Sequence, residues 1–552
     1  MRQRTWVPFG LVIMAAWLPP ADARAAERRP TAGKAMKHDV SLTLSEMAAS
    51  MPRPQLVDRE ANPLRPPRSG KPDFVGQPDP LRQSVAQLPG AALTPQPLVN
   101  FEGLSDDDNA AVIGARFVPP DTEGDVGPRH YVQFINGIFA IYDKSTGTIV
   151  RNGGPFAGNV IWARFGGPCE ANNDGDPIVL YDHLADRWLF SQFSPFEGIE
   201  CVALSRRGDP RGPYDRWAFL VSPGQFNDYP KFGVMPGAYY LSLRDFPSGD
   251  GDFASATAFD RAAMLAGNPN AGFVKFGLPC LRDNCPDAIQ PPHLEGPAPA
   301  AGTPGIFSRA WDDDFQGPLT GTDGYRLWRF APDFVTPANS TFTELPIVPS
   351  AGFDSTMCGF FQVQCIPQPA GGEKLDPIDE LQMYRAQYRH FPTHDSLVIN
   401  TTVDATGRNV AGVRWAELRN AGGGWTLQQE GTFAPDDGAH RWMGSAAMDK
   451  NGNIALGYSV SGREVFPSIR YTSRLANDPL GTMPGGEVEL VAGSDVQKKS
   501  FSRWGDYSTM SVDPVDGCTF WYTQEYQADD GDGRQDFDFK TRIGAFKLPD
   551  CE

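Results

Sequence analysis

From about Phe101 to the C-terminus, short apolar runs alternate with turns rich in Gly, Asp and Asn. Runs of this length, dense in β-branched and aromatic residues, predict strands rather than helices. Ile178–Tyr181, Trp188–Phe193, Cys201–Leu204 and Trp217–Val221 form the clearest group of four. Similar groups are predicted from Asp121 to Gly147, from Asn227 to Leu243, from Gly305 to Phe330, from Met383 to Gly431, from Trp442 to Thr472 and from Tyr507 to Phe546. Asp449-Lys450-Asn451-Gly452-Asn453 is a hairpin turn, because Asn-Gly accepts positive φ. Asp125, Asp176 and Asp228 follow one another at intervals of 51 and 52 residues, the length of a four-stranded unit. Repeated sheets leave edges open unless the array closes on itself. The pattern therefore predicts an all-β propeller of seven blades, with six or eight as the alternatives.

The N-terminal quarter reads differently. Arg2 and Arg4 precede an apolar run from Trp6 to Pro19, with small residues around Ala21, Ala23 and Ala25. That layout predicts a signal peptide over residues 1–25, and the run is short for a membrane span. Residues 26–100 are Pro-rich and predict a linker or propeptide, extended or disordered apart from a short helix between Met36 and Met51. A strap along the following domain is the other course open to them. Residues 101–552 make the propeller domain.

Composition narrows the partners. A formal charge of −18 over 552 residues argues against nucleic acid and anionic membrane surfaces, leaving glycans, calcium, cationic groups or other proteins. Eight cysteines in an exported chain suit disulfides between neighbours: Cys169 with Cys201, Cys280 with Cys285, Cys358 with Cys365, Cys518 with Cys551. No CxxC pair accompanies them, which disfavours zinc. Secretion or a periplasmic location follows from the leader and the disulfides together.

In a propeller the innermost strands converge on a central axis, so polar residues where those strands begin are the candidates for chemistry. Glu123, Glu170, Asp176, Asp506 and Arg503 are the catalytic candidates, because paired carboxylates with an arginine are the groups of glycosidase and lyase chemistry. His440, Arg441, Trp442, Trp504 and Asp228 are the ligand-binding candidates, with Trp162 as a further stacking surface. An Asp repeated at the start of each inner strand also has a purely structural reading, as an acceptor for turn amides. Function is then better sought in the non-repeated neighbours Arg503, Trp504, His440, Arg441 and Trp442. Calcium is expected at Asp174 and Asp176 and at Asp530 and Asp532, where oxygen ligands crowd Gly-permitted turns. Tyr384-Arg385 and Tyr388-Arg389 alternate along one strand, which packing explains as well as ligand binding does. No nucleophile elbow, Walker loop, dinucleotide fingerprint or His-Glu-x-x-His is present.

Over about residues 115 to 552, the strings GGPCEANNDGDPIVLYD (166–182), NDYPKFGV (227–234), HRWMGSAAMDKNGNIALGYS (440–459) and RWGDYSTMSVDP (503–514) resemble those of a family of exported bacterial propeller proteins, mostly uncharacterised. The resemblance implies a secreted propeller and transfers no activity. A fainter similarity to sialidase-like propellers lacks their repeated Ser-x-Asp-x-Gly-x-Thr-Trp turn. The expected function is binding of an extracellular glycan or related polymer at the inner-strand face, with a carbohydrate-active hydrolase or lyase, or a protein-interaction scaffold, as the alternatives.

Overall fold

A computed structural model describes residues 29–51, 58–60, 76–195, 197–247, 252–279, 287–316, 321–358, 364–498, 502–529 and 538–551. The signal segment 1–25, the pair Cys280 and Cys285, and Asp530 and Asp532 lie outside these residues.

The protein is all-β, built from many mostly antiparallel sheets. Among the described residues seven sheets have four or more strands, and a two-stranded sheet joins 59–60 to 117–118. We label the first strand of each successive unit β1 (Glu123–Val126), β2 (Ile178–Asp182), β3 (Gln225–Met235), β4 (Pro292–Leu294), β5 (Ala386–His390), β6 (His440–Met448) and β7 (Thr509–Val512). From each of these strands except β4 the sheet runs outward through successive antiparallel strands, as in 178–182, 187–194, 199–205 and 214–220. β4 pairs in parallel with β5, and Gln290 just ahead of it bridges Ser308 on the sheet that begins at Gly305.

The seven strands contact one another in chain order, and β7 contacts β1. Thr509 Oγ1 lies 3.2 Å from the carbonyl of Thr122 and 2.5 Å from the Glu123 carboxylate, tying β7 to the start of β1. Adjacent sheets pack face to face, so both faces of most strands are apolar. Phe190, for example, meets Phe134 and Phe139 of the preceding sheet, while Leu189 on the opposite face joins the cluster of Leu180, Val234 and Leu241. This two-sided burial replaces the polar-apolar alternation of a half-exposed sheet with continuous apolar runs.

The described parts of residues 26–100 follow the outer rim. Thr31–Lys34 extends the third sheet against 272–279, and Lys37–Val40 extends the second against 214–220. Arg82–Gln83 joins the fifth, Gln87 and Thr94 reach Gly485 beside the sixth, and Val99–Glu102 joins the seventh. Open sheet edges attract any free backbone, and here the chain's own N-terminal segment occupies them. The helix expected between Met36 and Met51 is confined to Leu44–Ser50, where Thr43 and Glu46 form a capping box; Lys37–Val40 is instead drawn into the edge of a sheet.

Disulfides join Cys169 to Cys201, Cys358 to Cys365 and Cys518 to Cys551, as the spacing predicts. The last holds the C-terminus to the start of strand 519–526. Among the described residues no helix is long and apolar enough to cross a membrane.

Candidate active site at the leading end of the inner strands

Each unit turns into its inner strand through one residue of left-handed backbone. These are Asp121, Asp176, Tyr229, Ala288, Ile378, Met443 and Asp506, with φ between 45° and 59°. Asp accepts this conformation more readily than Ile or Tyr, and a held non-Gly residue costs about 1–3 kcal/mol. Hydrogen bonds hold several of the turns. Asp176 N–H donates to Asn136 Oδ1 at 2.8 Å, Tyr229 N–H to Asp176 Oδ2 at 3.0 Å, and Met443 N–H to Thr402 Oγ1 at 3.4 Å.

The repeat thus has a different register from the one the sequence spacing suggested. Asp176 corresponds to Tyr229 and Asp121, not to Asp228 and Asp125. Pro177 and Pro230, each following the left-handed residue, carry that register in the sequence.

These turns bring Asp121, Asp176, Asp228 and Asp506 together around Lys231 and Arg503. Lys231 follows its left-handed residue by two positions and is fully buried. Its Nζ sits 3.5 Å from the centre of the Tyr229 ring and 3.7 Å from that of Tyr507, and donates to the Pro230 carbonyl at 3.0 Å. Burial pulls this amine down to about 8, against the opposing pull of Asp176, Asp121 and Asp506. Burial pushes Asp228 up to about 7 and Asp506 up to about 6, with Asp176 reinforcing both shifts. Arg503 holds Asp506 at 2.6 Å and approaches Asp376 at 3.5 Å.

Asp121 is the exception in this cluster. It is 1% exposed, yet neither carboxylate oxygen accepts a hydrogen bond among the described residues. Burial, with Asp506 and Asp176 nearby, pushes its pKa far above the usual carboxylate range. A buried carboxyl without a donor is costly, so this is where the fold most needs a further partner.

Below this layer lies a second charged layer centred on Arg385. Its Nη2 meets Glu123 at 3.1 Å and Asp125 at 3.3 Å, and its Nη1 meets Glu295 at 3.7 Å. Glu123 also accepts from Thr509, and is wholly buried. It packs the axis rather than facing a ligand. Glu170 does not join the cluster: its carboxylate accepts from the backbone N–H groups of Arg164 and Gly166, at 2.9 and 2.6 Å, and secures that loop.

The expected ligand-binding set separates in the same way. Of these residues only Asp228 lies in the cluster. His440 Nδ1 accepts from Ala411 N–H, and burial lowers its pKa to about 4. Arg441 is enclosed by Asp437 and Glu487. Trp442 and Trp504 pack against each other at 5.7 Å in the core, fully buried, and Trp504 Nε1 donates to Ser459; Trp162 is fully buried as well. Two-sided sheet packing consumes these large side chains, leaving no ring face for a sugar. Of the non-repeated residues only Arg503 joins the polar cluster, where it meets the repeated Asp506; His440, Arg441, Trp442 and Trp504 are engaged elsewhere. Lys231, Tyr229 and Tyr507 were not expected; the Tyr229-Pro230-Lys231 string, aligned on Pro177, is the signal that points to them.

Among the described residues no group of three or more His, Cys, Asp or Glu side chains is arranged to hold a metal ion. Of the calcium candidates Asp174 and Asp176, Asp176 belongs to the cluster and is engaged by Tyr229 N–H, and Asp174 is half-buried.

No protein-family model and no curated protein sequence matches this chain. Solved structures similar to it include an ulvan lyase of a polysaccharide lyase family, at 12% identity over 84% of this chain and 96% of the other, with a TM-score of 0.33. The N-terminal domain of Nup159 is similar at 7% identity over 83% of this chain and 100% of the other, with a TM-score of 0.33. An endo-arabinase from Bacteroides thetaiotaomicron is similar at 12% identity over 56% of this chain and 95% of the other, with a TM-score of 0.27.

Proposed function

We propose that the protein is an extracellular seven-bladed propeller that binds a polyhydroxylated, glycan-type ligand at the leading end of its inner strands. The observation that carries this reading is Asp121: a buried carboxyl, with no donor among the described residues, beside Asp176, Asp506, Lys231 and Arg503. Sugar hydroxyls supply the missing donors to such carboxyls and accept from a neighbouring cation. The circular order of contacts from β1 through β7 supports the closed ring, and three disulfides support an oxidising location.

A second reading, cleavage of the bound glycan, is favoured by Asp228. With its pKa raised to about 7 among other carboxyls, it holds a proton at the pH where a general acid needs one. Asp506, with its pKa at about 6, then serves as the ionised partner.

Glycan-array binding, with release of new sugar ends measured in parallel, tests both readings. Each assay runs with and without calcium on the wild type and on Asp121→Ala, Asp506→Ala and Glu170→Ala. Binding lost in the first two variants and kept in Glu170→Ala is the expected outcome. Product formation that Asp228→Asn abolishes without loss of binding establishes the second reading. If no glycan binds with or without calcium, both readings are wrong.

A further inference from the structure

The opposite, trailing end of the inner strands holds a cavity of about 140 Å³. It lies where β1, β2, β4, β5 and β7 finish, roughly 13 Å along a four-residue strand from the leading-end cluster. Arg389, His293, His183, Glu295 and Asp125 are its polar walls, and Val126, Val512 and Pro514 its apolar ones.

Arg389 is 2% exposed, and its Nε donates to the Met448 carbonyl at 2.9 Å. Its two terminal nitrogens make no hydrogen bond or ion pair among the described residues, although a buried guanidinium normally requires both. Gly296 has φ of 95°, and a Cβ there would stand 2.6 Å from Arg389 Nη1, so a side chain at this position would block the guanidinium. His293 Nδ1 accepts from Val234 N–H at 3.4 Å, which leaves the proton on Nε2 as a second free donor. His183 Nε2 lies 2.7 Å from the Gly296 carbonyl, so its proton is there and Nδ1 is a bare acceptor.

The carboxylates around the cavity are already engaged. Glu295 accepts from Gln387 and from Val512 N–H, and Asp125 accepts from the N–H groups of Val126 and Tyr181, at 2.8 Å each. Asp513 pairs with Lys144 at 2.7 Å. The site therefore presents an unpaired planar fork, one imidazole donor and one imidazole acceptor inside walls that are partly apolar.

We propose that this cavity binds a small organic monocarboxylate, seated on the Arg389 fork and the His293 Nε2 proton. A planar carboxylate matches two parallel N–H donors. The three surrounding carboxylates oppose a dianion such as phosphate, and the apolar walls suit a carbon substituent better than a bare halide. The volume accommodates several waters or one small solute, and excludes an oligosaccharide. This site does not depend on the leading-end reading, since the two share no residue.

Calorimetric titration of the full chain with acetate, acetamide, chloride and phosphate is the test. Acetate binds with Kd on the order of millimolar, as its few heavy atoms permit, and the other three bind at least roughly tenfold more weakly. Arg389→Lys, which keeps the charge and loses the fork, weakens acetate roughly tenfold or more. A second measurement uses the wild type alone: crystals soaked in bromoacetate place an anomalous bromine peak against the Val126, Val512 and Pro514 wall, with the carboxylate on Arg389 and His293. The proposal is overturned by absence of acetate binding, by equal binding of chloride or phosphate, by an unchanged affinity in folded Arg389→Lys, or by a bromine peak confined to other places.

Discussion

At the leading end of the inner strands, four aspartates share one buried lysine and one arginine, and the unmet need is for hydrogen-bond donors. At the trailing end the need is inverted: the carboxylates are engaged by backbone and lysine partners, and the terminal nitrogens of Arg389 make no ion pair among the described residues, with Glu295 and Asp449 acting on it only through space. Between the two, Arg385 balances Glu123, Asp125 and Glu295. Carboxyls therefore predominate at the leading end, while the site proposed at the trailing end rests on one arginine fork. Any selectivity of the two proposed sites follows from these local charges, not from the formal charge of −18.

If Arg385 is the divider, its loss should have the largest effect. Arg385→Met leaves three buried carboxyls without their cation, and a loss of about 3–5 kcal/mol in urea-unfolding stability is expected. A loss under about 1 kcal/mol would mean that the two ends are not electrostatically separated by this residue.

The second effect is on pH. Burial raises Glu123, Glu295 and Asp228 to about 7, above their unfolded values near 4. The folded chain then holds protons that the unfolded chain has released, so these groups stabilise fully below about pH 4 and lose that contribution as pH rises through 7. The melting temperature is expected to fall between pH 5 and pH 8. Glu295→Gln should flatten that fall, by an amount worth about 1–3 kcal/mol at neutral pH. A slope identical to the wild type would refute the assignment.

Trp504→Phe separates core from site. It removes the hydrogen bond to Ser459 and some packing against Trp442, for an expected cost of about 1–2 kcal/mol, with glycan affinity unchanged. A selective loss of binding would return the tryptophan to the ligand-facing set. Asp121→Asn should have the smallest effect on stability, within about 1 kcal/mol, because burial already keeps this carboxyl protonated and the amide is a neutral group of the same shape. Its effect should appear in ligand affinity instead.

Much of the strand order was legible. Apolar runs such as Ile178–Tyr181 and Trp188–Phe193 contain their own β-propensity, and the short separations of Cys169 from Cys201 and Cys518 from Cys551 made those pairings readable. The site was legible in part. Asp176, Asp506, Arg503 and Asp228 were named from their place before inner strands, and they do converge. Glu170, His440, Arg441, Trp442 and Trp504 have similar chemistry and sit near similar motifs, but their side chains are spent on loop amides, ion pairs and core packing. Polarity in a sequence says that a group needs a partner, not which partner it finds.

Local pattern determined the strands, the turns and the disulfide neighbours, because those depend on residues close in the chain. The partner of each charge depends on residues far apart: Lys231 with Tyr507, Arg385 with Glu123, Arg389 with His293 across one cavity. The course of the described parts of residues 26–100 was decided the same way, since they become rim strands only where sheet edges stand open to receive them. Long-range geometry decides which of the otherwise interchangeable Asp and Arg side chains find partners, and among the described residues the Asp121 carboxyl and the terminal nitrogens of Arg389 are left without a hydrogen bond.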